Sequence, residues 1–293
     1  MDTAISIEVV NPSPPDHPEE SVERAFGWFR EVEHRCSRFD DQSELSMLSR
    51  TVGAPVVVSP LLYRALEFAV AVARESQGAF DPAVGRRMEA NGFNRNFRTG
   101  RVADSRLTAA AEGTFRDIRF DPSRQTVLLR KPLVLDLGAV AKGFAIDLAA
   151  GELAPFPNFA INAGGDIFVR GRNPAGEPWA IGVRHPREPG ALIETLHVSN
   201  VAVCTSGDYE RPRPDGEPGH HILEPRTGCS AAGVASVTVV APSAMVADAL
   251  ATAAFVLGPA RGLSLLERHQ VEGLIVSSDL TESASRGLAG YRK

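Results

Sequence analysis

The chain has 293 residues, of which 43% are hydrophobic and 23% are charged, and its formal net charge is −5 at pH 7. This composition is typical of a globular protein with a substantial core, and the acidic balance excludes a general attraction to nucleic acid or to acidic membrane surfaces. Three unevenly spaced cysteines, Cys36, Cys204 and Cys229, favour neither a disulfide framework nor a zinc site.

The first forty residues predict one strand and one helix. Residues 1–10 alternate loosely and end in two valines, which fits a first strand, and four prolines between positions 12 and 18 then force a loop. Ser21 is a candidate N-cap. The apolar residues that follow recur at helical spacing and predict an amphipathic helix over 22–36.

A second helix has clear signals at both ends. Ser59-Pro60 supplies an N-cap followed by proline at the first helical position, and Gly78 ends the run, so we predict a helix over 60–77. Asp81-Pro82 beyond it is typical of a turn. The polar, glycine-containing stretch over 86–106 indicates a surface loop.

A strand, a turn and a helix are predicted in succession in the middle of the chain. Two short strand patterns over 117–121 and 126–130 form a hairpin that leads into a buried strand at Leu133–Leu135. The turn falls at 136–138, and the apolar residues of 139–146 suit a helix packed on that strand.

This turn has two interpretations. Free backbone N–H groups, the helix dipole and Lys142 would favour an anionic ligand such as a pyrophosphate, and Asp136 lies where a hydroxyl or amino group could be bound. Alternatively, it is an ordinary turn in which Gly138 relieves backbone strain and Lys142 is solvated. No Gly-Lys-Ser/Thr and no GxGxxG occurs here.

The C-terminal half alternates irregularly between strands and helices. Strands are predicted over 158–170, 179–184, 192–204, 235–241 and 271–277, and helices over 244–257 and 262–269. The first of these strands is interrupted by Gly164-Gly165, which permits a close approach or marks a bulge. The irregular order favours an α+β fold over a doubly wound parallel sheet.

Two further groups of side chains are candidates for chemistry. Adjacent histidines on a strand tend to point opposite ways, so one of His220 and His221 is expected to serve in proton transfer or hydrogen bonding rather than both in joint metal binding. Asp248 and Thr252 share one helix face and offer hard oxygen ligands for Mg²⁺. Alternatively, both residues have only structural roles: Asp248 lies near the N-terminus of its helix, and the Thr252 hydroxyl bonds back to the chain.

Five segments together resemble the ApbE family of flavin transferases, and they follow one another in the family's order. They are Asp136-Leu-Gly-Ala-Val-Ala-Lys-Gly-Phe-Ala-Ile-Asp147, Asn162-Ala-Gly-Gly-Asp166, Thr205-Ser-Gly-Asp-Tyr-Glu-Arg211, His220-His-Ile-Leu-Glu-Pro-Arg-Thr-Gly228 and Ala247-Asp-Ala-Leu-Ala-Thr252. The resemblance spans most of the chain. It implies one domain over 1–293, with mixed, largely antiparallel sheets, packed helices and two lobes around a central FAD cleft.

The resemblance also implies the function and the site. The function is Mg²⁺-dependent transfer of FMN from FAD to a threonine of an acceptor protein, with release of AMP. The implied FAD contacts are Met1, Phe39, Ala79, Phe80, Asp81, Asp136, Lys142 and Ile222. The implied metal ligands are Asp248 and Thr252, with main-chain oxygens of Ala139 and Ala251, and the implied catalytic residues are Asp248, Lys142 and His221.

Alternatives to this function remain at the level of sequence. Water in place of threonine would make the same site an FAD pyrophosphatase, and a flavin-binding protein without turnover is a third possibility. A carboxylate near the metal competes with the histidines as proton acceptor. The chain as written has no signal peptide or membrane span and is expected in the cytoplasm. Since many relatives are exported or lipid-anchored, a removed signal would place it in the periplasm or at a membrane.

Overall fold

The computed structural model describes residues 3–10, 18–96, 99–105 and 113–292. Its helices are α1 Pro18–Cys36, α2 Glu44–Ser49, α3 Pro60–Glu75, α4 Gly85–Ala90, α5 Gly138–Glu152, α6 Ala244–Leu257 and α7 Pro259–Arg268. Its strands are β1 Ile5–Val9, β2 Pro55–Val57, β3 Ile118–Asp121, β4 Thr126–Leu129, β5 Phe159–Ala163, β6 Asp166–Arg170, β7 Trp179–Arg184, β8 Leu192–Val198, β9 Val201–Gly207, β10 Val234–Ala241, β11 Glu272–Ser277 and β12 Glu282–Ala284.

The strands of the described ranges form one large sheet and two small ones. The large sheet has the order β1-β5-β6-β9-β10-β11-β12, and the small sheets are β2-β4-β3 and β7-β8. Neighbouring strands pair antiparallel throughout. Helices therefore pack on antiparallel sheets, and the predicted α+β fold is confirmed.

The centre of the large sheet is covered on both faces. On one face α6 packs against β9 and β10, and α5 packs against α6. On the other face lies a smaller apolar cluster that includes Trp179 and Leu196 from the β7-β8 sheet. Every residue of β10 is consequently buried, which explains its nearly continuous apolar sequence.

The larger hydrophobic core extends over most of the chain. It includes Ala25 of α1, Leu66 of α3 and Val127 of β4, together with residues of α5, α6 and β11. The single domain over 1–293 and its two lobes about an FAD cleft stay predictions. No helix among the described residues is long and apolar enough to cross a membrane.

The helix predicted over 60–77 is confirmed as α3, with Ser59 as its N-cap. The Ser59 hydroxyl accepts the Leu62 N–H at 3.2 Å. Gln77 and Gly78 both have positive φ, so the helix stops two residues before the predicted end. The N-cap predicted at Ser21 is wrong: α1 already begins at Pro18, which suits the first turn because it has no N–H to leave unpaired.

The central strand predicted at Leu133–Leu135 is wrong. The segment is buried, but it belongs to no strand. Its backbone bonds with the ends of two helices instead: the Val134 carbonyl accepts the N–H of Gly85 in α4 at 3.1 Å, and the Leu135 N–H donates to the hydroxyl of Ser49 in α2 at 3.4 Å. An apolar run indicates burial, whereas the partner of its backbone is a tertiary property.

Two other predicted features differ from the structure. Gly164 and Gly165 both have positive φ and form the two-residue turn between β5 and β6, so they are neither a bulge nor an interruption of one strand. The surface loop predicted from residue 86 begins with the short helix α4. The strand predicted over 192–204 is instead two strands, β8 and β9, which are separated at Ser199 and Asn200 and belong to different sheets. The loop predicted between positions 12 and 18 lies almost wholly outside the described residues. The remaining predicted helices and strands are confirmed, with α7 starting three residues early at Pro259.

Candidate active site

Lys142 lies between two buried carboxylates and forms the centre of what we call the Lys142 cluster: Lys142, Asp166, Ser206, Asp248 and Thr252. Lys142 Nζ forms a close ion pair with Asp166 and lies 3.3 Å from Asp248 Oδ2. Thr252 Oγ1 lies 3.2 Å from Ser206 Oγ. The cluster joins α5, α6 and the ends of β6 and β9, so residues from four parts of the sequence meet here.

Asp147 positions α6 relative to α5. Its carboxylate accepts the Ser243 hydroxyl at 2.6 Å, the Ala244 N–H at 2.7 Å and the Met245 N–H at 3.0 Å. A carboxylate at a helix N-terminus satisfies otherwise unpaired N–H groups and complements the helix dipole. Burial raises the pKa of Asp147, and these three bonds oppose that rise. The α6 helix is thereby held where Asp248 reaches Lys142.

The two helices approach closely at Gly143. A Cβ added there would lie 2.3 Å from the Ala244 carbonyl oxygen, so only glycine fits. The Gly143 N–H points at Asp248 Oδ2 at 3.3 Å, whereas in a regular helix it would donate to the Ala139 carbonyl. Ala139 itself departs from helical angles, with φ −93° and ψ 16°.

A second group, the Arg38 cluster, lies at the turn before α5: Arg38, Phe39, Phe93, Asp136 and His221. Arg38 is paired with Asp136, donates to the Phe93 carbonyl and stacks 4.2 Å from the centre of the Phe39 ring. Its side chain is only 5% exposed. Asp136 also accepts the Gly138 N–H at 2.7 Å, so this predicted nucleotide contact is engaged by a cation and a backbone donor.

The two adjacent histidines have different environments. His220 is buried, and its Nε2 lies 2.9 Å from the Ala231 carbonyl while its Nδ1 accepts the Ile222 N–H at 3.3 Å, so both ring nitrogens are engaged. His221 packs edge-on against Phe93. Its buried Nδ1 has no hydrogen-bond partner among the described residues. Burial, and then Arg211, lower the pKa of His221 to about 3, which keeps the ring neutral at pH 7.

The three residues of the 79–81 loop have different environments. Phe80 is buried in the large core, and Asp81 Oδ1 accepts the N–H groups of Ala83 at 2.8 Å and Phe115 at 3.0 Å. Ala79 lines a cleft of about 210 Å³ together with Gln77, Glu224, Arg226 and Arg261, among others. The turn predicted at Asp81-Pro82 is confirmed, and the FAD contacts of this loop stay predictions.

The remaining predicted site residues are placed as follows. Ile222 is buried beside the histidines. Ala251 lies inside α6 between Asp248 and Thr252. Met1 lies outside the described residues. No group of three or more His, Cys, Asp or Glu side chains among the described residues could hold a metal. Mg²⁺ does not require such a group, since it often binds one or two carboxylates and substrate phosphates.

Sequence reasoning gave no role to four residues of these clusters, which are Arg38, Phe93, Asp166 and Ser206. Asp166 and Ser206 stand within segments that the resemblance named, next to a glycine pair and at the end of a strand pattern. Arg38 had no signal except its neighbour Phe39. The sequence showed only that Arg38 and Asp166 are charged residues in or beside the family motifs. Their ion-pair partners could be identified only from the structure.

Comparison with known proteins agrees with the predicted family. The sequence pattern of the ApbE family matches residues 1–275. A protein of Treponema pallidum named FAD:protein FMN transferase is 34% identical, over 98% of this chain and 85% of its own length. One from Haemophilus influenzae with the same name is 29% identical, over 91% of this chain and 82% of its own length.

Solved structures agree with the fold. The crystal structure of an ApbE protein from Thermotoga maritima has a TM-score of 0.87 and 30% identity and covers 99% of both chains. The flavin transferase ApbE from Vibrio cholerae has a TM-score of 0.86 and 28% identity over 99% of this chain and 96% of its own. Since the family pattern covers residues 1–275 and the fold agrees with solved ApbE structures, the chain belongs to the ApbE family.

Proposed function

We propose that the protein is a Mg²⁺-dependent FAD:protein FMN transferase, which attaches FMN from FAD to a threonine of an acceptor protein and releases AMP. The observation that carries the proposal is the Lys142 cluster, where the Lys142 ammonium lies 3.3 Å from the buried Asp248 carboxylate and Thr252 offers a hydroxyl on the same face of α6. The name FAD:protein FMN transferase borne by relatives supports the reaction class.

The residues present fit a divalent cation. Asp248 is only 6% exposed and offers a carboxylate, and Thr252 on the same face of α6 offers a hydroxyl. Ala139, whose backbone angles are not helical, would supply a main-chain oxygen from α5, and Ala251 would supply another from α6. Hard oxygen atoms of this kind are the ligands that Mg²⁺ prefers. A bound Mg²⁺ would offset the charge of the FAD pyrophosphate.

The protein's own groups bind and orient the reactants. Lys142 donates to a phosphate oxygen and stabilises the charge that grows as the bond between the two phosphates breaks. Asp136 and Phe39 with the 79–81 loop and Ile222 position the nucleotide, and Met1 contributes from the N-terminus. The threonine oxygen bonds to the FMN phosphorus, the bridging oxygen leaves with AMP, and FMN stays on the acceptor as a phosphoester.

The threonine proton requires an acceptor, and the structure favours His221 over His220. Both ring nitrogens of His220 are engaged, whereas Nδ1 of His221 is unpartnered among the described residues and its ring is neutral. A pKa near 3 makes His221 a weak base, so proton transfer benefits from a nearby phosphate charge that raises it on substrate binding.

The reaction is tested by mass spectrometry. The protein is incubated with FAD, Mg²⁺ and an acceptor protein, and with the same acceptor carrying Thr→Val at its candidate position. We expect a mass increase of one FMN less one water on the threonine form only, with equimolar AMP. Free FMN and AMP without an adduct would identify a pyrophosphatase instead, and unchanged FAD would indicate a flavin-binding protein.

Two variants on α6 test the cation site. Asp248→Ala should lower Mg²⁺-dependent FMN transfer by at least ~100-fold, because it removes the charged ligand. Thr252→Val should lower it less, since water can replace a neutral ligand. Turnover and melting temperature are measured on the same samples.

Ser243→Ala is the matched control for these variants. It removes the N-cap of α6 and should cost about 1 kcal/mol of stability while Mg²⁺-dependent transfer continues. An Asp248→Ala protein that melts early but transfers FMN at the normal rate would show that Asp248 has a structural role only.

A further inference from the structure

Asp166 is the most deeply buried member of the Lys142 cluster, with 2% of its surface exposed. Its Oδ1 accepts the Thr205 N–H at 3.2 Å, and its Oδ2 pairs with Lys142. The turn at Gly164-Gly165 places it at the start of β6. Asp166 is therefore fixed by the sheet, while Lys142 approaches from α5 and Asp248 from α6.

The ammonium of Lys142 is shared between the two carboxylates. It is paired with Asp166, and Asp248 Oδ2 is 3.3 Å away. Two carboxylates and one ammonium leave a formal charge of −1 in a poorly exposed place, where charges interact more strongly than in water. The position of the ammonium decides how much negative charge Asp248 can offer to another cation.

We propose that Asp166 is a positioning residue that holds Lys142 away from Asp248 and so keeps Asp248 available to a divalent cation. This inference rests on the proposed function, in which Asp248 binds that cation. Without the charge of Asp166, Lys142 turns wholly to Asp248 and competes with the cation for the same oxygen atoms. Asp166 thus raises cation affinity through Lys142.

Two simpler roles make different predictions. If Asp166 acts only as a nearby negative charge, its removal weakens cation binding equally whether or not Lys142 is present. If it only ties the start of β6 to β9 through the Thr205 N–H, its removal changes stability but not cation affinity. A double-mutant cycle separates these roles, since residues that act through each other give non-additive effects.

The experiment compares wild type, Asp166→Asn, Lys142→Gln and the double variant. Asparagine keeps the Oδ1 acceptor for Thr205 and loses only the charge. Mn²⁺ serves as the probe, because free Mn²⁺ is visible by electron paramagnetic resonance. It is titrated at an FAD concentration that saturates each variant, because Lys142 is also a proposed FAD contact, and the acceptor is omitted. Mass spectrometry confirms that FAD stays intact, and thermal melting confirms that each variant is folded.

We expect Asp166→Asn to raise the Mn²⁺ dissociation constant at least tenfold, and Lys142→Gln to leave it unchanged or lower it. In the Lys142→Gln background, Asp166→Asn should change it by less than threefold. Equal weakening in both backgrounds, or no weakening in either, would overturn the inference. If Asp166→Asn does not fold, Lys142→Gln decides: weaker Mn²⁺ binding in that variant would also overturn it.

Failure of the inference differs from failure of the proposed function. Wild-type protein that transfers FMN with Mg²⁺ but gives an additive cycle would leave the function intact and remove the role of Asp166. Wild-type protein that binds Mn²⁺ but transfers no FMN would refute the function. Wild-type protein that binds no Mn²⁺ would refute both the cation site and the role of Asp166.

Discussion

Buried polar residues determine the chemistry of this protein at the scale of single side chains. Asp166, Asp248, Asp81 and His220 are all nearly inaccessible to water, and each is bonded to the backbone or to a partner charge. Burial without such partners costs several kcal/mol, so these residues can stay inside only in the arrangement observed. The same burial changes how they titrate.

Asp81 predicts a measurable pH dependence of stability. Burial raises its pKa to about 6, although the N–H groups of Ala83 and Phe115 oppose the rise. Between pH ~4 and pH ~6 the folded protein thus holds a proton that the unfolded chain releases, so stability falls as pH rises through this window, by at most about 3 kcal/mol. Asp81→Asn keeps the Oδ1 acceptor and removes the titration.

The free energy of unfolding of Asp81→Asn should therefore fall less between pH 4 and pH 6 than that of wild type. Urea denaturation at a series of pH values measures it. Asp279→Asn is the control, because Asp279 is exposed and hydrogen bonds from Thr281 and Ser277 lower its pKa below this window. Parallel pH profiles for Asp81→Asn and wild type would show that burial does not raise the pKa of Asp81.

At the scale of elements, the crossing of α5 and α6 sets the geometry of the site. Lys142 and Gly143 lie on one helix, and Asp248 and Thr252 on the other. The close approach at Gly143 and the cap from Asp147 hold the crossing at two points one helical turn apart. Small shifts between the helices would separate Lys142 from Asp248.

Two glycines of α5 should respond oppositely to alanine. At Gly143 a new Cβ would lie 2.3 Å from backbone oxygen, so Gly143→Ala should lower stability by roughly 1–3 kcal/mol and impair Mg²⁺-dependent transfer. At Gly151 a Cβ would meet nothing within 4 Å, so Gly151→Ala should raise stability by up to about 1 kcal/mol and leave transfer unchanged. Denaturation and turnover are measured on both. If the two substitutions changed stability and transfer equally, α5 and α6 would not approach closely at Gly143.

At the scale of the whole molecule, the predicted ligand contacts come from distant parts of the chain. They extend from Met1 to Ile222, and the structure links several of them through the segment before α5. Asp136 donates its N–H to the Pro82 carbonyl at 2.8 Å and is paired with Arg38, so the 79–81 loop, Phe39 and the α5 turn share one region. Predicted contacts from such distant parts of the chain suit a ligand such as FAD, which consists of two nucleotides.

The protein should bind FAD at least ~10-fold more tightly than FMN, because FMN would reach only part of these contacts. Flavin fluorescence titrations without acceptor measure both affinities, and AMP provides the control. AMP should compete with FAD but leave FMN binding unchanged, since it occupies the other half of the cleft. Equal affinities for FAD and FMN would show that the AMP half is not recognised.

Local signals were sufficient for much of the fold. The helix from Pro60 follows from Ser59 as a cap and from proline at its first position, because capping depends on residues within one turn. The irregular order of strand and helix patterns predicted the α+β class. The motifs around Asp136, Asp166, His221 and Asp248 predicted the family, since each motif is a continuous stretch of sequence.

Tertiary structure decided which groups meet. Leu133–Leu135 was predictable as buried, but its backbone bonds to Gly85 and Ser49, which no periodicity reveals. The sequence predicted that Lys142 contacts a phosphate, yet its partner Asp166 lies 24 residues away on another element. Periodicity and caps report interactions within a few residues. Ion pairs and helix crossings depend on the three-dimensional path of the chain, so only the fold determines them.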